Sequence, residues 1–194
     1  MLLGHNSSFI AFSHEHHLLN PIIFGLAKST IYFTLPDFTN WFYDYAKQYG
    51  VNPYFLIAKA VVEAGAGDKN SKNPLLIGFE FADGTVVYNF FGIGASDGNA
   101  TKNGAKYAKN NGWTTPQKAI EGGAKFIGDN YVKAGQDTFY TMRYNLAGYK
   151  EKGYFYHQYA SNIADHVTKG KRIGKRANDF LANKYLQFKI PSFR

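Results

Sequence analysis

Apolar residues crowd most tightly between Pro53 and Ala64. Phe55, Leu56, Ile57, Ala58, Ala60, Val61 and Val62 leave almost no polar face, which predicts a buried helix. Pro53 suits its first turn, where no N–H is needed, and Gly65 and Gly67 end it. Upstream, Phe38, Trp41, Phe42, Tyr45 and Tyr49 recur at helical spacing, so Leu35 to Gly50 reads as a second helix with an aromatic stripe. Asp37 or Thr39 is its expected cap, and Val51-Asn52-Pro53 links the two helices as a hairpin.

After Gly67 the pattern shortens. Asp68 to Pro74 is a loop by composition. The runs Leu75 to Phe81 and Thr85 to Phe90 flank Ala82-Asp83-Gly84, which predicts a small β-hairpin. The glycines of Asn89 to Gly98 do not follow phosphate-loop or dinucleotide spacing, and indicate close backbone approach. Thr101 to Asn111 reads as an amphipathic helix. Thr115 and Pro116 start another that runs to about Val132, and Gly122-Gly123 inside it predicts a close helix–helix contact. Gly148 to Gly153 reads as a polar loop, and a last helix starts near Ser161 or Asn162. The sum is a mainly α fold with a minor β element. Residues 1–35 form an N-terminal segment packed on the domain, 36–175 the main body, and 176–194 a helix end and tail.

Composition narrows the partners. A formal charge of +8 suits polyanionic surroundings: nucleic acid, an anionic membrane surface or an anionic wall polymer. No nucleic-acid recognition motif accompanies the charge, and its late cluster from Lys169 to Arg176 reads mostly as a solvated face. The chain has no cysteine, so thiolate chemistry and disulfides are excluded. No apolar run reaches membrane-spanning length, and the N-terminus lacks the basic and apolar regions of a signal peptide. His14 and His17 would share a helical face, but no further metal ligand accompanies them, and a solvated helix or loop is the preferred reading.

One carboxylate stands out. Glu63 is the only acid on the apolar helix, in its last turn. The helix dipole and partial desolvation there both favour the protonated form, which suits a general acid. The alternative is a solvent-facing glutamate near the helix end.

Four blocks in order then carry a family resemblance. They are Gly50 to Gly67, Thr85 to Ala95, Gly112 to Ile127, and His157-Gln158-Tyr159-Ala160-Ser161, with Gly135 to Asn145 joining the last two. Together, over roughly Asp37 to Ile173, the chain resembles the mannosyl-glycoprotein endo-β-N-acetylglucosaminidase-like domain, glycoside hydrolase family 73. The glucosaminidase modules of staphylococcal autolysins belong to that family. It departs from the family pattern at Ala64, Ala66 and Ser161-Asn162.

The resemblance implies a lysozyme-like helical domain with a small β-hairpin lobe flanking a substrate groove. It implies hydrolysis of the β-1,4 bond after N-acetylglucosamine in peptidoglycan strands, as an autolysin or a phage-associated lysin. The expected location is extracellular, at the cell wall or on a virion tail. A lytic transglycosylase and a non-catalytic wall-binding or virion protein on the same fold are the competing readings. No cofactor or metal is implied, and anionic wall polymers such as teichoic acid are further candidate partners. Glu63 takes the place of the catalytic glutamate. Glu80 or Asp83 is the candidate second acid, with Glu80 preferred because the turn itself uses Asp83. Tyr159 takes the place of the family's tyrosine. Three routes are open for the other half of the reaction: Glu80 as base with inversion, Glu80 as nucleophile, or attack by the substrate's own acetamido group beside Tyr159. Tyr88, Phe91, Trp113, Tyr140 and Tyr156 are candidate sugar-stacking residues, and Asn89 and Gln158 candidate acetamido partners.

Overall fold

The computed structural model describes residues 35–65, 71–96, 98–159 and 171. The N-terminal segment with His14 and His17, the helix expected after Ser161 and the C-terminal tail lie outside them. In order the elements are α1 (Leu35–Gln48), α2 (Pro53–Ala64), α3 (Pro74–Ile77), β1 (Phe79–Glu80), β2 (Val86–Val87), α4 (Ala100–Asn110), α5 (Pro116–Ile127), α6 (Phe139–Arg143) and α7 (Leu146–Lys152). No described helix is long and apolar enough to cross a membrane.

Caps explain most of the boundaries. The Asn52 side chain accepts from Tyr54 and Phe55 N–H, Pro53 follows at the first helical position, and Gly65 closes α2 in the left-handed region at φ 70°. Thr115 and Pro116 open α5 in the same way. The first helix already runs from Leu35, so Asp37 and Thr39 lie within it rather than at its cap. Two expectations, one strand and one loop, are corrected by asparagine caps. Asn73 with Pro74 starts the single turn α3 where a strand was expected, and Asn145 starts α7 where a polar loop was expected.

The β lobe is smaller than the sequence pattern suggests. Phe79 pairs with Val87 and Glu80 with Val86, antiparallel. The Asp-Gly turn is in place: Gly84 N–H donates to the Phe81 carbonyl, and the Asp83 carboxylate accepts from Thr85 N–H. Asp83 also pairs with Lys109 of α4, and these bonds hold its carboxyl well below the usual carboxylate range. Beyond β2 the chain leaves sheet pairing. Tyr88 N–H donates to the Trp113 carbonyl and Asn89 N–H to that of Leu75.

α1 packs on both α2 and α5. Phe38, Phe42, Leu56, Ile57, Phe90, Phe91 and Ile120 are at the centre of the core, essentially without exposure. The paired glycines of α5 serve neighbouring rings rather than a helix. A Cβ on Gly122 would fall 2.0 Å from the Trp113 indole nitrogen, and one on Gly123 2.0 Å from the Phe91 ring. The close helix approach expected there occurs instead at Gly128, where a Cβ would meet the Tyr49 backbone oxygen at 2.3 Å. Gly128 opens a π-helical turn, Gly128–Val132, that extends α5.

Asn89 organises the glycine-rich loop. Its Nδ2 donates to the carbonyls of Ile93 (2.8 Å) and Gly104 (3.1 Å), and its Oδ1 accepts from the N–H groups of Phe91 and Ile93. Asn89→Ala leaves those buried groups unpaired and is expected to lower unfolding free energy by about 2 kcal/mol or more in a denaturant titration. Gly123→Ala forces the Phe91 ring to move, and about 1–3 kcal/mol of destabilisation is expected in the same measurement.

Candidate functional site

α2 brings Glu63 to its last turn, with the side chain about one-fifth exposed. Four residues earlier on the same face lies Lys59, only 2% exposed in an otherwise apolar setting. Lys59 Nζ donates to Glu63 Oε1 at 2.8 Å. The same ammonium sits 3.4 Å from the centroid of the Tyr159 ring, a cation–π contact. Tyr159 O–H in turn donates to the Phe91 carbonyl at 2.9 Å. Gly92 follows Phe91, with Glu63 Oε2 3.7 Å from where its Cβ would stand. Glu63, Lys59, Tyr159 and the Phe91-Gly92 backbone therefore form one constellation drawn from three parts of the chain.

This corrects the expected environment of Glu63. The helix end and partial burial do act on the carboxyl, but a cation in contact opposes both by favouring the ionised form. Lys59 was the residue missed. Its signal was present in the sequence: it is the only cation on α2, one helical turn before the only acid.

Tyr159 is held by a clamp that sequence reading also missed. Gln136, 2% exposed, donates from Nε2 to the carbonyls of Thr141 and His157, and its Oε1 bonds the His157 ring at 2.7 Å. His157 adopts φ 56°, uncommon for a residue with a side chain, and this bonding maintains it. Tyr159 N–H donates to the Met142 carbonyl. Tyr131, from the π turn, stacks on His157 at 4.6 Å and leans on Tyr159 at 5.1 Å. Burial pushes the Tyr131 phenol up.

The other candidates are dispersed. Glu80 is exposed on β1, and its side chain makes no hydrogen bond or ion pair with the described residues. Phe91 is fully buried against Phe42 and Gly123, so its ring belongs to the core while its carbonyl serves the site. Asn89 has its amide committed to the loop. Tyr88 stacks on Phe90. Gln158 donates to the Arg143 carbonyl, Tyr156 O–H to Glu151, and Tyr140 packs on Tyr144. Trp113 is 5% exposed and borders a separate depression of about 480 Å³ with Tyr49, Tyr107, Lys118, Lys125 and Asp129; neither Glu63 nor Tyr159 lines it.

Similarity to known proteins covers this constellation and its scaffold. The family model described as mannosyl-glycoprotein endo-β-N-acetylglucosaminidase matches residues 39–172. A bifunctional autolysin of Staphylococcus epidermidis is 42% identical over 156 residues, which is 77% of this chain and 11% of that protein. The chain thus spans about a tenth of the length of the curated relatives it matches. The crystal structure of S. aureus glucosaminidase B superposes with TM-score 0.61 at 34% identity, covering 86% of this chain and 60% of the other. That of a catalytic glutamate-to-alanine mutant of S. aureus autolysin E, in complex with the disaccharide NAG-NAM, does so with TM-score 0.63 at 32% identity, covering 85% and 67%. The mostly helical body and two-strand antiparallel sheet match these lysozyme-like glucosaminidase structures. With the family model spanning 39–172 and 42% identity to the autolysin over 156 residues, the chain belongs to the glucosaminidase family.

Proposed function

We propose that this domain is a peptidoglycan endo-β-N-acetylglucosaminidase, cleaving the β-1,4 bond after N-acetylglucosamine with Glu63 as general acid. The observation that carries it is the placement of Glu63: one carboxyl at the end of a buried helix, fixed by Lys59 and flanked by Tyr159 and Gly92. Glycoside cleavage needs a proton donor at the leaving oxygen, held in fixed geometry. Relatives crystallised with a NAG-NAM disaccharide and with a muropeptide support wall glycan as the ligand class. The cell wall is the corresponding site of action, with teichoic acids as further anionic partners of a +8 chain.

For the second half of the reaction, attack by the substrate's acetamido oxygen on its own anomeric carbon is the favoured route. Glu80 stands exposed on a two-residue strand, where no hydrogen bond or ion pair of its carboxylate with the described residues fixes it as base or nucleophile. Tyr159 is held in place by its hydroxyl bond to the Phe91 carbonyl, and a phenol oxygen is an acceptor as well as a donor, which suits an acetamido N–H.

Glu63→Gln is expected to abolish release of reducing N-acetylglucosamine ends from purified peptidoglycan; it also takes the carboxylate from the buried Lys59 ammonium, so circular dichroism at the assay temperature verifies that the variant is folded. Retained turnover removes Glu63 from the mechanism. Glu80→Gln is expected to keep near-normal turnover, and a loss of about a hundredfold or more would restore the two-carboxylate scheme. Mass analysis of the products separates the competing chemistries. Anhydro ends would mark a transglycosylase and reducing N-acetylmuramic acid ends a muramidase.

A further inference from the structure

Lys59 is a charged side chain buried in the core. Lysine is almost never fully buried unless paired, and a buried ion pair is often replaceable by apolar residues without loss of stability. Its pairing with Glu63 is also not a helix-stabilising device. The order Lys before Glu is the weaker one at this spacing, and an acid near the helix C-terminus is unfavourable. Stability therefore gives no reason for this pair.

The geometry points to a role in the reaction: we propose that Lys59 is a positioning residue that orients Glu63 and Tyr159 together and sets the pH range in which Glu63 carries its proton. The proposal rests on the assignment of Glu63 as general acid. One ammonium touches both partners, with Nζ 2.8 Å from Glu63 Oε1 and 3.4 Å from the Tyr159 ring centroid. Lys59 thereby holds Oε1, while Oε2 faces Gly92. The ring contact fixes the same ammonium from the opposite element, and Tyr159 O–H is anchored on Phe91. Acid and tyrosine are therefore set relative to each other through a single cation.

The charge has a predictable sign. The protonated Lys59 favours the carboxylate form of Glu63, and activity that needs the protonated acid declines as pH rises through its titration. Without the ammonium, the helix C-terminus and partial desolvation remain, and both favour the protonated acid. Among the described residues, the titratable groups brought to the pair include Tyr159 from the last described segment and, behind it, Tyr131 and His157.

The test compares the wild-type protein with Lys59→Met and Lys59→Gln. Release of reducing ends is followed across pH with kcat and KM separated, beside thermal unfolding. The basic limb of kcat/KM is expected to move up by about one pH unit or more in both variants. At the acidic optimum kcat is expected to fall about tenfold or more with little change in KM. A limb that superposes on wild type overturns the proposal, as does an unchanged kcat. Carbon-13 detection of the Glu63 carboxyl in the wild type keeps it falsifiable should neither variant fold. A carboxylate signal at neutral pH is expected, and a protonated carboxyl there overturns it. Glu63→Gln decides the catalytic reading separately: if that variant stays active, the acid assignment fails, and the carboxyl signal still reports on the ion pair.

Discussion

The seat of Phe91 on Gly123 is the contact on which much else depends. The ring reaches its place because α5 has no side chain at that position, and it meets Phe42 of α1 edge-on. Seating the ring fixes the backbone on either side. Asn89 takes up the Phe91 N–H, the carbonyl receives the Tyr159 hydroxyl, and the next residue, Gly92, faces Glu63. A packing constraint between a loop and two helices thus becomes a positional constraint on the candidate site. Close-packed interiors transmit such constraints because they have little room to relax.

The site combines three kinds of chemistry within this frame. An apolar helix supplies the acid, a buried lysine the opposing charge, and an aromatic ring the far wall of the cation's pocket. The ammonium keeps only a small part of its hydration, so the carboxylate contact and the ring face together replace it. On the opposite side, the Gln136 clamp and the Met142 carbonyl hold the chain around Tyr159. Rigid support of this kind is what a glycosidase needs if a proton is to reach one oxygen of the substrate.

Much of the fold was legible because it rests on local rules. Pro53 and Gly65 bracket α2, Thr115 and Pro116 open α5, and Asp83-Gly84 makes the hairpin turn. The same rules were underused at Asn73 and Asn145, whose capping bonds create α3 and α7 from stretches that read as strand and loop. Aromatic residues were the least legible. Phe91, Trp113 and Tyr88 look alike to a reader seeking sugar-stacking faces, yet Phe91 and Trp113 lie in the core and Tyr88 stacks on Phe90. Nothing local distinguishes a ring that meets a ligand from one that meets a glycine on another helix.

Sequence alone determined the helical body, the turn positions and the place of Glu63 at a helix end, because each follows from spacing, capping and backbone preference over a few residues. Tertiary structure decided which groups surround that carboxyl. Lys59 and Glu63 share a face by helical periodicity, but burial of the lysine depends on distant elements closing over it. Tyr159 reaches the pair across 96 residues of chain, and only the folded core brings it there. The charge state of the candidate acid is therefore a property of packing, which no local pattern encodes.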